Sequence, residues 1–200
     1  MIVTGVLTSG RAEYERVRTL VGSVFALDLR LPDMVFRKPG LNTVFAEFEV
    51  AMSGEFWPVI QAMTRAHGDK SVHVLVLDPD PEHYYLRHYG KYEAATIGID
   101  ASEDEYWGLI SDEPDGDPTG AIVFSANVVA IVGDSRKWGC WGEKGLEVMA
   151  IQGLPEKDNS DLRIPLLAVQ DAVSTFVALS YWRTLVPPEI SSNLISKYGN

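Results

Sequence analysis

The chain carries one cysteine, Cys140, among its 200 residues. A single thiol excludes an internal disulfide framework and an all-cysteine zinc site. Glycine runs of the nucleotide-binding kind are missing: there is no Gly-x-Gly-x-x-Gly and no Gly-Lys-Ser/Thr, so phosphates have no recognisable backbone cradle. The Gly-x-Ser-x-Gly elbow of serine hydrolases is missing too. The most apolar stretch, residues 164–186, has Pro165 near its start and includes Gln170, Asp171 and Arg183. That suits a core helix better than a membrane span of about 20 apolar residues. Residues 1–7 are apolar but are broken by Thr4 and Gly5 and lack a basic flank. They read as a strand rather than a secretory signal, which points to a cytoplasmic protein.

Positive charge is scarce. Lys and Arg number 17 against 28 Asp and Glu, a formal net charge of −11. A phosphate backbone needs a basic surface, so nucleic acid is not the expected partner; nor is a membrane. What remains is a folding composition. Apolar residues make up 46% and aromatics 10%, too much for a disordered polyelectrolyte and enough for one sizeable core.

The pattern predicts an α+β fold in one domain over residues 1–200, with a mixed or antiparallel sheet and helices mainly on one face. Residues 10–24 read as a helix capped by Ser9, with Tyr14, Val17, Leu20, Val21 and Val24 on one side. Residues 42–50 alternate, with Val44, Ala46, Phe48 and Val50 opposite Phe45, Glu47 and Glu49, as in a half-exposed strand. Residues 54–66 form a helix capped by Ser53, with Phe56, Ile60 and Met63 inward. Residues 71–77 read as a buried strand ended by Asp78-Pro79-Asp80-Pro81. Pro81 opens a short helix to Tyr89, and a strand follows over 92–99. Ser102 and Glu105 make a capping box for a helix to Ile110. Residues 115–120 are a turn. Strands over 121–132 and 146–152 are joined by a long connection holding Trp138 and Trp141. Residues 164–185 read as the strongest helix, a short one follows Pro187, and the polar loop 153–161 is the best linker.

Catalytic chemistry has few candidates. All four histidines lie between residues 67 and 88. His83 and His88 are five apart, off the three-or-four spacing of a shared helix face. Asp112 to Asp117 lacks the ligand spacing and closing glutamate of a calcium loop. No metal or cofactor is expected. Cys140 sits in Trp138-Gly-Cys-Trp141-Gly, superficially like a papain-type context, but no histidine follows His88. Glu47, Glu49, His73, Asp78 and His83 are the residues that could converge into a hydrolase site.

Charge is partitioned along the chain. Residues 92–135 contain ten acidic side chains and no Lys or Arg; the other 156 residues hold 18 acids and 17 bases. Eight of the ten lie from Asp100 to Asp117. The candidate binding residues are Glu103, Asp104, Glu105, Tyr106, Trp107, Asp112, Glu113, Asp115 and Asp117. They combine acids that steer a basic partner with aromatics of the kind found at interface hot spots. An acidic surface that serves only solubility is the plainer alternative.

The run Trp138-Gly-Cys-Trp141-Gly-Glu143-Lys144, between apolar segments that span residues 128–151, resembles a Trp-x-x-Trp-small-Glu-basic signature of small bacterial proteins. Some of these are proposed immunity proteins of polymorphic toxin systems. The likeness covers about 25 of the 200 residues. It implies an acidic, cytoplasmic, non-catalytic protein that caps a toxin. The expectation is therefore a binding protein that engages a basic protein through its acidic segment. A small-molecule hydrolase, or a structural subunit that forms a homo-oligomer, is the alternative.

Overall fold

The computed structural model describes residues 7–8, 10–38, 42–155 and 162–199. In chain order the elements are α1 (Arg11–Val24), β1 (Thr43–Glu47), α2 (Phe48–Ala51), α3 (Trp57–His67), β2 (Ser71–Asp78), α4 (Leu86–Tyr89) and β3 (Ala94–Gly98). They continue as α5 (Glu103–Ile110), α6 (Ile122–Ser125), β4 (Val128–Gly133), β5 (Gly139–Glu143), β6 (Val148–Gln152), α7 (Val169–Ala172), α8 (Ala178–Ser180) and α9 (Pro188–Tyr198). The strands form one six-stranded sheet in the order β1-β6-β5-β4-β2-β3, antiparallel throughout. The fold is α+β. Among the described residues no helix is long and apolar enough to cross a membrane.

Helices cover both faces of this sheet rather than mainly one. On one face, α2, α3 and α5 contribute Phe48, Trp57, Ile60, Met63 and Tyr106 to a core that includes Val74, Ile131, Trp138 and Cys140. On the other, α1, α7 and α9 contribute Val17, Val21, Val169, Leu194 and Tyr198 against Leu75, Ala130, Trp141 and Ala150. A sheet buried on both sides needs apolar residues at consecutive positions. β4 supplies them: all six of its residues are buried. The alternation read over residues 42–50 fails for the same reason. Phe45 is buried in the second core, β1 ends at Glu47, and Glu49 belongs to α2.

β5 is the strand that the sequence pattern hides. Residues 139–143 sit in the expected loop yet pair with β4 and β6. Two glycines, Gly139 and Gly142, flank Cys140 and Trp141 along it. A Cβ on Gly139 would lie 2.7 Å from the Phe25 ring, and one on Gly142 would lie 2.9 Å from Val129 and Phe48. The glycines let both helical layers close on the strand while Trp138 and Trp141 fill opposite cores. Trp138 Nε1 donates to Asp69 Oδ2 at 2.6 Å, and Trp141 Nε1 donates to Glu143 Oε2 at 2.9 Å. Each buried indole thus has the acceptor it requires.

Other local expectations shift by a few residues. Ser53 makes no side-chain cap; its hydroxyl donates to Val50 O at 2.7 Å. Residues 122–125 turn as α6 before β4 begins. The helix expected over 164–185 is confined to α7, a π-helical stretch (Val173–Val177) and α8. The helix after Pro187 is α9, eleven residues long. Ser9, residues 1–6 and residues 156–161 of the expected linker lie outside the described residues.

Both sheet margins are met by other chain. β3 takes an isolated bridge from Leu7 to Ala95, and β1 takes one from Leu167 to Phe45. This blunts edges that would otherwise present unpaired main-chain groups.

The packing of β5 predicts that Gly139→Ala destabilises the fold by about 2 kcal/mol, the usual scale of overpacking. Urea unfolding measures this as a lower midpoint at unchanged slope. An unchanged midpoint would mean that Phe25 yields without cost.

Candidate functional site

The acidic segment is organised by α5. Ser102 Oγ accepts from Glu105 N at 3.2 Å, and Glu105 Oε2 accepts from Ser102 N at 2.7 Å, the reciprocal capping box read from the sequence. Three acids in the first turn, Glu103, Asp104 and Glu105, suit the positive end of the helix dipole. The inner face buries Tyr106, Leu109 and Ile110. Tyr106 stacks on Trp57 with ring centroids 4.9 Å apart. It is a core residue and not part of a binding surface, which corrects its place among the candidates. Its spacing to Leu109 and Ile110 is the signal that it points inward.

The carboxylates divide into two groups. Glu105 serves the capping box. Asp117 accepts from Thr119 N at 2.9 Å, from Thr119 Oγ1 at 2.7 Å and from Tyr89 Oη at 2.7 Å, and so stabilises its own turn. Glu103, Asp104, Asp112, Glu113 and Asp115 have no hydrogen bond or ion pair at their carboxylates among the described residues. Glu103 is half-buried and the other four are exposed.

Trp107 flanks the buried face of α5 and is 42% exposed. It borders a groove of about 320 Å³ with Phe48, Met52, Val123 and Phe124. Phe124, from α6, is 61% exposed. Gly54 sets the spacing: a Cβ there would lie 3.3 Å from Glu103 Cγ and 3.6 Å from Trp107 Cβ, so α5 closes against the turn before α3. The rim is acidic. Glu49 lines it, and Glu147 stands close enough to Glu49 and Glu47 to feel their charge. Burial first, then repulsion from those two, raises the Glu147 carboxyl above its ordinary range. Lys144 is the one cation lining the groove, and its Nζ donates to Phe124 O at 3.3 Å. The groove can hold an apolar side chain, with Glu49 beside it and the unpaired carboxylates of α5 adjoining. Phe124 had no sequence signal, and Glu49 was read only as a hydrolase candidate, because the groove forms between elements far apart in the chain.

The hydrolase candidates do not share a cleft. His73 is buried; its Nδ1 lies 2.9 Å from Thr96 Oγ1 and its Nε2 lies 2.9 Å from Asp134 Oδ1. Burial lowers the His73 pKa, against the pull of Asp134. Burial also works to raise Asp134, but bonds from His73 and the Ser71 amide outweigh it and hold that carboxyl low. His83 is exposed beside Asp80 at 3.0 Å. Glu49 alone of the five lines the aromatic groove, Glu47 ends β1 and Asp78 ends β2. Cys140 is fully buried, and burial pushes its thiol well above the usual range, away from a reactive thiolate. Among the described residues no three His, Cys, Asp or Glu side chains gather to hold a metal ion.

No family model matches this chain, and neither a curated protein nor a solved structure matches it.

Glu93 is the one acid of the segment turned fully into the core. Ser125 Oγ donates to its Oε1, and its Oε2 has no partner. Burial raises its pKa to about 8. Below its ordinary value near 4.5 the group is protonated in both folded and unfolded chains and has no effect. Between 4.5 and 8 the unfolded chain gives up the proton and the native chain keeps it, so stability falls as pH rises. The expected slope from this group approaches about 1 kcal/mol per pH unit, and Glu93→Gln should flatten it. Urea midpoints of both proteins at pH 5 to 8 measure the effect; parallel curves would remove Glu93 from the balance.

Proposed function

We propose that this is a non-catalytic binding protein that docks a basic protein partner on the groove between α5 and α6, in the manner of an immunity protein capping a toxin. The observation that carries the reading is the pairing of Trp107 and Phe124, 42% and 61% exposed, with Glu49 in the groove and the unpaired carboxylates of Glu103 and Asp104 on α5 beside it. An exposed aromatic pair flanking a groove is the composition of a hot spot, where one side chain contributes about 2 kcal/mol or more. Unpaired acids around it raise the association rate of a cationic partner and repel acidic ones. Tyr106 and Asp117 are left out of the surface, and Phe124 and Glu49 are added to it.

The test is capture of a partner at about 50 mM NaCl, where charge is weakly screened. Trp107→Ala with Phe124→Ala should weaken binding by about 30-fold, mainly through faster dissociation. Reversing Asp104, Asp112, Glu113 and Asp115 to Lys should slow association and remove its salt dependence. A partner held equally by both variants does not use this surface.

Self-association is a second reading, and a different feature favours it. Trp182 is 72% and Leu185 91% exposed on the segment after α8, with the Arg183 guanidinium 4.0 Å over the Trp182 ring. Sedimentation that gives a dimer for the native chain and a monomer for Trp182→Ser supports it; a monomer for both removes it.

A further inference from the structure

A second cleft lies across the sheet, where the end of α1 meets the turn between β4 and β5. It encloses about 200 Å³. Its walls are Val24, Phe36 and Trp138, and Gly139 leaves the strand bare beside them. Its mouth is the reverse of the acidic groove. Lys38, Arg136 and Lys137 line it, all three exposed, and none has a side-chain hydrogen bond or ion pair among the described residues. No Asp or Glu lines this cleft. The adjoining clefts, along α1, add Arg18 and Arg37 against Glu15 and Asp28, while Arg16 there is paired with Glu13 at 2.7 Å. In a chain of net charge −11, three unpaired cations around one apolar slot concentrate positive potential at a single point.

The placement of Arg136 adds a separate observation. Its φ is 58°, the left-handed region where glycine is at ease and other residues are strained. A long cationic side chain is held here at a turn position better suited to glycine, beside the cleft. The slot is rigid behind it. Trp138 is fixed by its bond to Asp69, and Asp69 also accepts from Ser135 Oγ at 3.1 Å.

We infer that this cleft binds a small organic anion: one flat apolar body inserted between Phe36, Val24 and Trp138, with a single carboxylate or phosphate head held at the mouth by Lys38, Arg136 and Lys137. The volume is below the range of about 300–1,000 Å³ typical of drug-sized ligands. It suits one ring and its head group. Guanidinium and ammonium donors at the mouth fit either oxyanion.

The experiment is saturation-transfer NMR on the full chain with four probes of equal body: benzoate, phenyl phosphate, benzyl alcohol and benzylamine. At least one anion should bind with a Kd at or below about 5 mM, and the alcohol and amine should bind about tenfold more weakly or not at all. Benzoate alone assigns the head as carboxylate, and phenyl phosphate alone as phosphate. The variant Lys38→Ser/Arg136→Gly/Lys137→Ser should weaken the anion about tenfold. Its fold is protected, because the three side chains are exposed and glycine suits the backbone at 136. Trp107→Ala should leave anion binding unchanged, which separates this site from the protein-docking groove. Raising NaCl to about 0.5 M should weaken the anion in the native protein, a readout that needs no variant. The proposal is overturned if neither anion binds, if benzyl alcohol binds as tightly as the anions, or if the triple variant binds unchanged.

Discussion

The arrangement of this molecule rests on one buried carboxylate. Asp69 follows the left-handed Gly68 that ends α3, and it accepts from the Trp138 indole and from both the amide and the hydroxyl of Ser135. Charge-assisted bonds of this kind are the stronger ones, and a buried carboxylate without them would be costly. One side chain therefore fastens the exit of a helix on one face to the turn that launches β5. Everything downstream takes its position from that anchor. Trp138 fills the first core, the next indole falls into the second, and the glycines between them admit the helices that cover each side.

The same anchor organises the charge. β5 spans five residues, about 14 Å of strand, and the two clefts stand at its two ends. Lys144 and the acidic groove lie beyond Glu143; Lys137 and the cationic slot lie before Gly139. The two clefts draw their charge from several elements, with Glu49 of α2 and Lys144 at one end and Lys38, Arg136 and Lys137 at the other. The plainer account, in which acidity serves only solubility, explains the exposed carboxylates. It does not explain why aromatic surface stands among them.

What could be read from the sequence follows from how local each signal is. The inward faces of α1 and α3, the apolar run of β2 and the Ser102–Glu105 cap depend on residues within a few positions of one another, and all are present. β5 escaped because glycine and tryptophan are poor strand markers. Their meaning lies in what Phe25, Phe48 and Asp69 need, and those residues are 69 to 115 positions away. The two-sided burial was hidden in Phe45, whose neighbours Glu47 and Glu49 suggested an outward face. Of the site, the acids and Trp107 were legible. Tyr106 was misplaced because its acidic neighbours outweighed its spacing. Phe124 could not be found, since it sits in an apolar run read as a strand, seven positions past Asp117.

The bridges at the two margins of the sheet carry a last consequence. Leu7 and Leu167 each occupy main-chain positions on an outer strand. A newcomer that sought to extend the sheet would first have to dislodge them. Strand addition is thereby obstructed at Ala95 and Phe45, while surfaces built from side chains stay open, and their charge and shape can be altered one residue at a time. Any specificity this protein has is open to gradual evolutionary retuning, because changing a partner does not require breaking the ladder that holds the fold.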